Sequence, residues 1–300
     1  MKVSLNKQQK GLFNRQLANL STGSSLKNLL EKIQQHRGMV NLYLKGDQSF
    51  KPKVITLQEE INQQLNMLKK EVENTASYSD KLNEISSGFD SLQAGSFTMS
   101  SEECIAGHGS LIQSLLVFMV VVAEQNQLVR DNNFSNKYIN IIWRLIPITA
   151  ESLGKVRALG SGVAAIGRSS ALERVKLGFL VNKIRISISL VLKQINTLPD
   201  TSNQASKAYK KMHTDLSDFS DLIEKELIVA TNPNIEATRF FDDATRLLGE
   251  LFSLYDSAVA MAASEIKTSI EELERSNKRI YMSGLGTLSV VIVMPFLLIP

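Results

Sequence analysis

An arginine side chain interrupts an apolar helical stripe near the N-terminus. The stripe has the alternating four- and three-residue spacing of a heptad seam, and its members are Leu26, Leu30, Ile33, Arg37, Val40 and Leu44. A guanidinium on a buried seam is costly unless it is paired. Two interpretations stay open: Arg37 reaches solvent or a carboxylate of the protein, or it binds an anion that is not part of the protein. For that anion, Gln34, Gln35 and His36 would supply further hydrogen bonds.

A second arginine, Arg157, lies on a helix face made mainly of small residues. The members of this face are Ala150, Leu153, Arg157, Gly160 and Ala164. Small residues either let two helices approach closely or leave room for a ligand beside the arginine. The segment alone favours close helix packing.

Two further polar interruptions lie on apolar stripes. His108 belongs to the seam Ile105, His108, Ile112, Leu115, Met119 and Val122. A single histidine there is typical of a core residue that donates to a backbone carbonyl, and a binding or switching role is the alternative. Thr245 interrupts the stripe of the last helix and is followed by Arg246. Asp242 and Glu250 lie four residues to either side of Arg246, which favours surface ion pairs.

Motif and composition exclude several classes of function. The sequence has no glycine-rich phosphate loop after a strand, no G-x-S-x-G, no H-E-x-x-H and no cluster of Cys and His with metal-ligand spacing. Basic residues are scattered without interleaved aromatic residues, so we expect no nucleic-acid partner. The six prolines and 6% aromatic residues favour long helices. We therefore expect an all-α protein without enzyme activity, metal or cofactor.

Breakers and periodicity locate the helices that position these residues. The first helix is predicted to end near Gly46, and a loop is predicted over 87–100. A turn is expected at 131–133, a bend at Pro147, and a cap at Ser169 and Ser170. The segment 183–192 alternates like a strand, but both flanks resemble helices, so a helix is predicted. The remaining predicted helices cover about 53–86, 101–130, 138–168, 172–198, 200–229 and 233 onward.

The C-terminus predicts a membrane helix. No charged residue occurs from Met282 to Pro300, and about 20 apolar residues span a bilayer. Arg275, Lys278 and Arg279 precede this run, so the positive-inside rule places the helical domain in the cytoplasm. A periplasmic domain would follow if the chain were a receptor fragment, and a buried terminal helix is the soluble alternative. The shorter apolar run 115–123 predicts a core helix buried on all sides.

Three segments together resemble the nitrate- and nitrite-sensing (NIT) domain family. They are QQHRGMVNLYLKGD (34–47), LIPITAESLGKVRALGSGVAAIG (145–167) and IEATRFFDDATRLLGELFSL (235–254). The resemblance implies an all-helical bacterial sensor, built from two four-helix bundles and coupled to a signalling output. Position by position, Arg37 and Arg157 match the arginines implicated in anion binding in this family. Arg246 matches a position in the third motif.

From these observations we expect a lead-in over 1–23, a sensor domain over 24–280 and a transmembrane segment over 281–300. The fold class is all-α, with two stacked four-helix-bundle halves that share long helices. The expected function is binding of a nitrate- or nitrite-like anion between helices and relay of a helix shift to a separate signalling partner, in a homodimer. The alternative is a membrane-tethered adaptor whose arginines pair internally. The candidate ligand-binding residues are Arg37, Arg157, His36, Gln35, Arg246, Thr245 and His108.

Overall fold

The computed structural model of the protein describes residues 2–73, 75–125, 135–197, 203–230 and 232–293. These residues form helices and turns, with no β-strand among them. The predicted all-α class is therefore confirmed for the described part of the chain. The α-helices are α1 (Lys2–Leu44), α2 (Phe50–Val72), α3 (Ala76–Gly95), α4 (Ser101–Gln125), α5 (Ser135–Asn140), α6 (Ile146–Ile166), α7 (Ala171–Ile195), α8 (Asn203–Ile223) and α9 (Ala237–Val293). Two π-helical turns, Ile141–Leu145 and Glu224–Val229, precede α6 and follow α8.

The helices pack in two groups of four. Helices α1 to α4 contact one another in a closed cycle, and so do helices α6 to α9. The two longest helices, α1 and α9, also run side by side in antiparallel directions. Lys27 pairs with Asp256 at 3.1 Å, and farther along both helices Asn6 donates to Asn277 at 2.7 Å. Apolar side chains from both groups form one continuous core.

The first group differs from the prediction at the junction of α2 and α3. The sequence predicted one helix over 53–86 and a loop over 87–100, but the structure breaks the chain at 73–75 and continues α3 to Gly95. Both predictions were wrong because Ile85, Phe89 and Leu92 keep a four–three spacing and are buried. Their burial outweighs the low helix propensity of the surrounding serines and glycines. Residues 2–23 are also helical and continue directly into the rest of α1.

Several predicted helix ends agree with the structure. Gly46 follows α1 with a φ of 110°, a conformation that glycine adopts without strain. Ser170 caps α7 through a capping box with Glu173. The alternating segment 183–192 is helical, as predicted. The predicted turn at 131–133 lies outside the described residues.

The starts of two helices compare differently with the predictions. Pro147 lies in the first turn of α6 and follows the π-helical turn, so the chain is helical on both sides of it, and the bend predicted there stays a prediction. The last helix begins at Ala237 rather than at Pro233. Glu236 caps it, because its carboxylate accepts from the backbone N–H groups of Thr238 and Arg239 at 2.8 and 2.6 Å.

One described stretch, Ser101–Glu124 in α4, is long and apolar enough to cross a membrane. Core helices of soluble proteins meet the same criterion, and Leu115, Phe118 and Met119 of this helix are fully buried. Val117 is 45% exposed, so the prediction that this run is buried on all sides was wrong. Residues 294–300 of the predicted membrane segment 281–300 lie outside the described residues, and the backbone of α9 continues to Val293. It stays a prediction.

Candidate anion-binding site

A cavity of about 230 Å³ lies where α1 meets α6 and α9. Helix α1 contributes Arg37 and Asn41 to its wall, and α6 contributes Arg157 and Ser161. Phe241 of α9 closes one side. The two arginines that the sequence singled out, 120 positions apart in the chain, therefore line the same cavity.

Arg37 is almost completely buried and is paired with a carboxylate of the protein. Its Nη1 donates to Oε1 of Glu151 at 2.8 Å, and its Nη2 to Oε2 at 3.4 Å. Gln34 Nε2 donates to the same Oε2 at 2.9 Å, and Lys155 Nζ lies 3.4 Å from Oε1. Of the two interpretations of Arg37, this structure contains the internal pair.

Glycines of α6 and α1 make room for the arginines. A Cβ atom added at Gly154 would lie 2.9 Å from Nη2 of Arg37, and one added at Gly38 would lie 3.8 Å from Nη2 of Arg157. Farther along α6, a Cβ at Gly160 would lie 2.4 Å from the ring of Phe240. The small residues of α6 thus serve both roles that the sequence suggested: space for a guanidinium at Gly154 and close helix packing at Gly160.

Arg157 is partly buried and has no acidic partner among the ion pairs of the described residues. Its Nη1 donates to Thr245 Oγ1 at 3.1 Å, and its guanidinium carbon lies 5.1 Å from the centre of the Phe241 ring. Burial, together with the positive charge of Arg37, lowers the pKa of this guanidinium to about 10, and Glu151 partly offsets both effects. Arg157 therefore presents to the cavity a positive charge that no carboxylate of the described residues contacts directly.

His36 and His108 point away from the cavity and contact each other. His36 Nδ1 lies 2.8 Å from His108 Nε2, and His108 Nδ1 lies 2.7 Å from the carbonyl oxygen of Cys104. A carbonyl only accepts, so His108 carries its proton on Nδ1 and accepts from His36 at Nε2. Gln58 Nε2 donates to the remaining His36 nitrogen at 3.1 Å.

This arrangement keeps both imidazoles neutral. Burial, together with the nearby His108, lowers the pKa of His36 to about 3. Burial also lowers the pKa of His108 to about 4, although the hydrogen bond to Cys104 acts in the opposite direction. The sequence pattern identified both histidines, but the structure places them behind the cavity wall.

Cys104 lies beside this pair, with its Sγ 3.6 Å from His108 Nδ1. Burial raises the pKa of the thiol to about 11, so the thiol stays protonated. Within the described ranges, no group of three or more His, Cys, Asp or Glu side chains could hold a metal ion.

The structure does not bring Gln35 and Arg246 to the cavity. Gln35 is exposed and donates to Glu31 on its own helix at 3.3 Å. Arg246 is also exposed and pairs with Glu250 at 2.8 Å, and this bond raises the pKa of its guanidinium. Arg246 therefore forms the surface ion pair that its spacing from Glu250 favoured.

Sequence reasoning missed Glu151 and Ser161. Glu151 is the single acidic residue of α6, whereas the same helix carries two basic residues, Lys155 and Arg157. This excess of basic residues could have identified Glu151 as their partner. The hydroxyl of Ser161 is buried at the cavity wall and has no hydrogen-bond partner among the described residues. Ser161 follows Arg157 by one helical turn, which places it on the face that lines the cavity.

A family model described as nitrate and nitrite sensing matches residues 28–263, a range that includes every residue lining the cavity. The solved structure of the NasR transcription antiterminator has a similar fold, with a TM-score of 0.65. The two chains are 17% identical, and the similarity covers 89% of this chain and 73% of that one. At that identity the likeness concerns the fold alone. No curated protein matches the chain.

Proposed function

This chain belongs to the nitrate and nitrite sensing family, and from that premise we propose that it is a sensory domain that binds a small planar oxyanion between Arg37 and Arg157. The observation that carries the proposal is the environment of Arg157. A guanidinium withdrawn from solvent normally has a carboxylate partner, because an unpaired charge is costly there. Arg157 instead faces a cavity, and the side-chain contacts that the described residues make with it are a hydroxyl and an aromatic ring, with no carboxylate in direct contact. An anion in the cavity would supply the missing negative charge.

The donors around the cavity suit nitrate or nitrite. A guanidinium presents its N–H groups as a planar fork, which matches two oxygens of a planar anion. The unpartnered Ser161 hydroxyl and the side chain of Asn41 lie on the same wall. The low dielectric of a bundle interior strengthens each of these contacts relative to water.

Signalling would follow from the position of the cavity between helices. An anion held by Arg37 of α1 and Arg157 of α6 would draw two helices together and favour one of two packings of the stacked bundles. Helix α9 contributes Phe241 and Thr245 at the site and continues to Val293. It would carry the shift to a separate signalling partner, in a homodimer anchored by the predicted membrane segment on the cytoplasmic side.

A thermal-shift comparison tests the binding function. Nitrate and nitrite should raise the unfolding temperature of the wild-type chain more than chloride or sulfate, since a ligand stabilises the folded state by mass action. Arg157→Gln should lose this selective rise. Arg246→Ala removes an exposed arginine outside the cavity and is the matched control, which should keep it. Equal shifts with all four anions would contradict the proposal.

The internal pair of Arg37 with Glu151 supports a second candidate function, a helical adaptor without a ligand. Here α1 and α6 would be held together permanently by the ion pair. The absence of any selective anion effect, together with unchanged partner binding in Arg157→Gln, would favour this adaptor. Cysteine cross-linking along 258–278 of α9 offers a second distinction, because only a sensor would change its cross-linking pattern with nitrate.

The membrane anchor and its side are separate parts of the proposal. Protease added to intact cells should leave residues before Met282 uncut if the bundles are cytoplasmic. Digestion from outside would contradict that assignment, and recovery of the chain in the soluble fraction would contradict the anchor.

A further inference from the structure

The carboxylate of Glu151 binds the guanidinium of Arg37 in the way that an oxyanion ligand would. It is planar, carries one negative charge and offers two oxygens to the guanidinium nitrogens, at 2.8 and 3.4 Å. Gln34 and Lys155 hold the same two oxygens. Only 5% of Glu151 is exposed, so water does not compete for these contacts.

We propose that Glu151 is a tethered competing anion that sets the affinity of the site, and that a bound oxyanion displaces it from Arg37. This inference rests on the proposed anion-binding function. Glu151 is connected to the cavity through Arg37, which lines the cavity and binds the carboxylate, and Gly154 of the cavity wall lies against Nη2 of the same arginine. Nη2 makes the longer of the two contacts with Glu151, so it is the nitrogen more readily given up to an incoming anion.

The balance of charge explains why exchange is possible. Three cations, Arg37, Lys155 and Arg157, surround one carboxylate. A second anion placed between the arginines is attracted by Arg157 and repelled by Glu151. Like charges repel more strongly in a protein interior than in water, because the effective dielectric constant is lower there. The negative charge of Glu151 therefore opposes ligand binding even where Arg37 has enough N–H groups for both partners.

Displacement would also couple binding to the helix packing. The carboxylate belongs to α6, and two of the groups that hold it, Gln34 and Arg37, belong to α1. Exchanging Glu151 for a ligand replaces a direct link between the two helices by a bridged one. The same event that fills the cavity thus changes how α1 and α6 are joined.

Calorimetric titration of the full chain with sodium nitrate in chloride-free buffer tests the inference. Glu151→Gln keeps the shape of the side chain and removes its charge, so nitrate should bind about tenfold tighter or more than to the wild type. Glu151→Asp keeps the charge, so it should bind nitrate less tightly than Glu151→Gln does. Glu250→Gln neutralises an exposed carboxylate that pairs with Arg246 and should leave the affinity unchanged.

A milder variant covers the case in which Glu151→Gln does not fold. Gln34→Leu removes one donor from Glu151 and leaves Arg37 intact, so nitrate should bind a few-fold tighter. With clear binding to the wild type, equal or weaker binding to Glu151→Gln, or to Gln34→Leu where Glu151→Gln does not fold, would overturn the competitor role and retain the anion site. No binding to the wild type or to either variant would overturn the anion site itself.

Discussion

The two arginines of the cavity lie within one site but in opposite electrostatic surroundings. Arg37, on the α1 side, is buried against Glu151, Gln34 and the edge of α6, and its charge is neutralised. Arg157, on the side of α9, contacts a threonine hydroxyl and the face of Phe241, and no carboxylate of the described residues contacts it directly. Arg37 therefore contributes to the stability of the ligand-free fold, whereas Arg157 is the arginine on which the proposed ligand binding depends.

The largest expected difference between the two arginines is the effect of replacing each of them on the free energy of unfolding in the absence of added anion. Arg37→Leu leaves the buried carboxylate of Glu151 with only Gln34 and the longer contact to Lys155, and it should lower the free energy of unfolding by about 3–5 kcal/mol. Arg157→Leu removes a partly buried charge that has no acidic partner and should cost less than about 1 kcal/mol. Urea unfolding in anion-poor buffer measures both variants. Equal losses would mean that the two environments do not differ as described.

The neutral histidines beside Arg37 predict a dependence of stability on pH. Because the folded-state pKa values, about 3 and 4, lie below the ordinary value of 6.5, the unfolded chain binds more protons as the pH falls. Stability is fully present above a pH of about 6.5 and should fall by about 1.4 kcal/mol per pH unit for each histidine below it. From a pH of about 6.5 to about 5 this amounts to about 2 kcal/mol for each.

Urea unfolding midpoints at a pH of about 7, 6 and 5 measure this slope. The window lies above the range in which carboxylates usually titrate, so the two histidines dominate it. His213→Gln replaces the remaining histidine, which lies on α8 and contacts Ser189, and should keep the wild-type profile. A flat profile across this window would contradict the neutral pair.

The space reserved for Arg37 predicts a smaller difference between two glycines of α6. Gly154→Ala brings a Cβ to 2.9 Å from the guanidinium and should destabilise the fold by about 1–3 kcal/mol. At Gly162 no atom lies within 4 Å of the position that a methyl group would take, so Gly162→Ala should stabilise the helix by about 0.5–1 kcal/mol. Thermal unfolding of both variants measures the difference, and effects of the same sign would show that Arg37 has room to move.

The smallest effect is expected outside the cavity. Arg246→Ala removes an exposed pair with Glu250 and should change the free energy of unfolding by about 0.5 kcal/mol or less. The same urea measurement serves as the baseline for the two cavity arginines. A loss of several kcal/mol would place Arg246 among the residues that hold the fold.

Features that depend on spacing within one helix were predictable from the sequence. The heptad seam identified Arg37 and His108 as polar residues on a buried face, and the serine pair at 169–170 located the start of α7. Pairings between helices were out of reach, because Arg37 and Glu151 are 114 positions apart and His36 and His108 are 72 apart. Which of two interpretations holds for a buried arginine depends on a partner that no local pattern reveals.

The predicted boundaries of the second helix and the following loop were wrong for a related reason. The serine- and glycine-rich residues 87–95 have poor helix propensity, but their apolar members are buried where α3 contacts α2 and α4. Tertiary packing decides such a segment. The exposure of Gln35 beside the buried Gln34 has the same origin, since one position along a helix is a rotation of about 100°.

The hydrogen bonds around His36 have one further consequence. Gln58 of α2 donates in two directions: through His36 of α1 and His108 of α4 to a carbonyl of α4, and through Ser96, at the end of α3, to the carbonyl of Leu92. Both ends of this series are carbonyl oxygens, which only accept, so the Gln58 amide is the group from which both branches of donated hydrogen bonds start. No proton can pass along the series while both imidazole rings are neutral. The series reaches all four helices of the first group and links them to one another internally. Movement at the cavity is therefore expected in α6 and α9, with the first group as the fixed support.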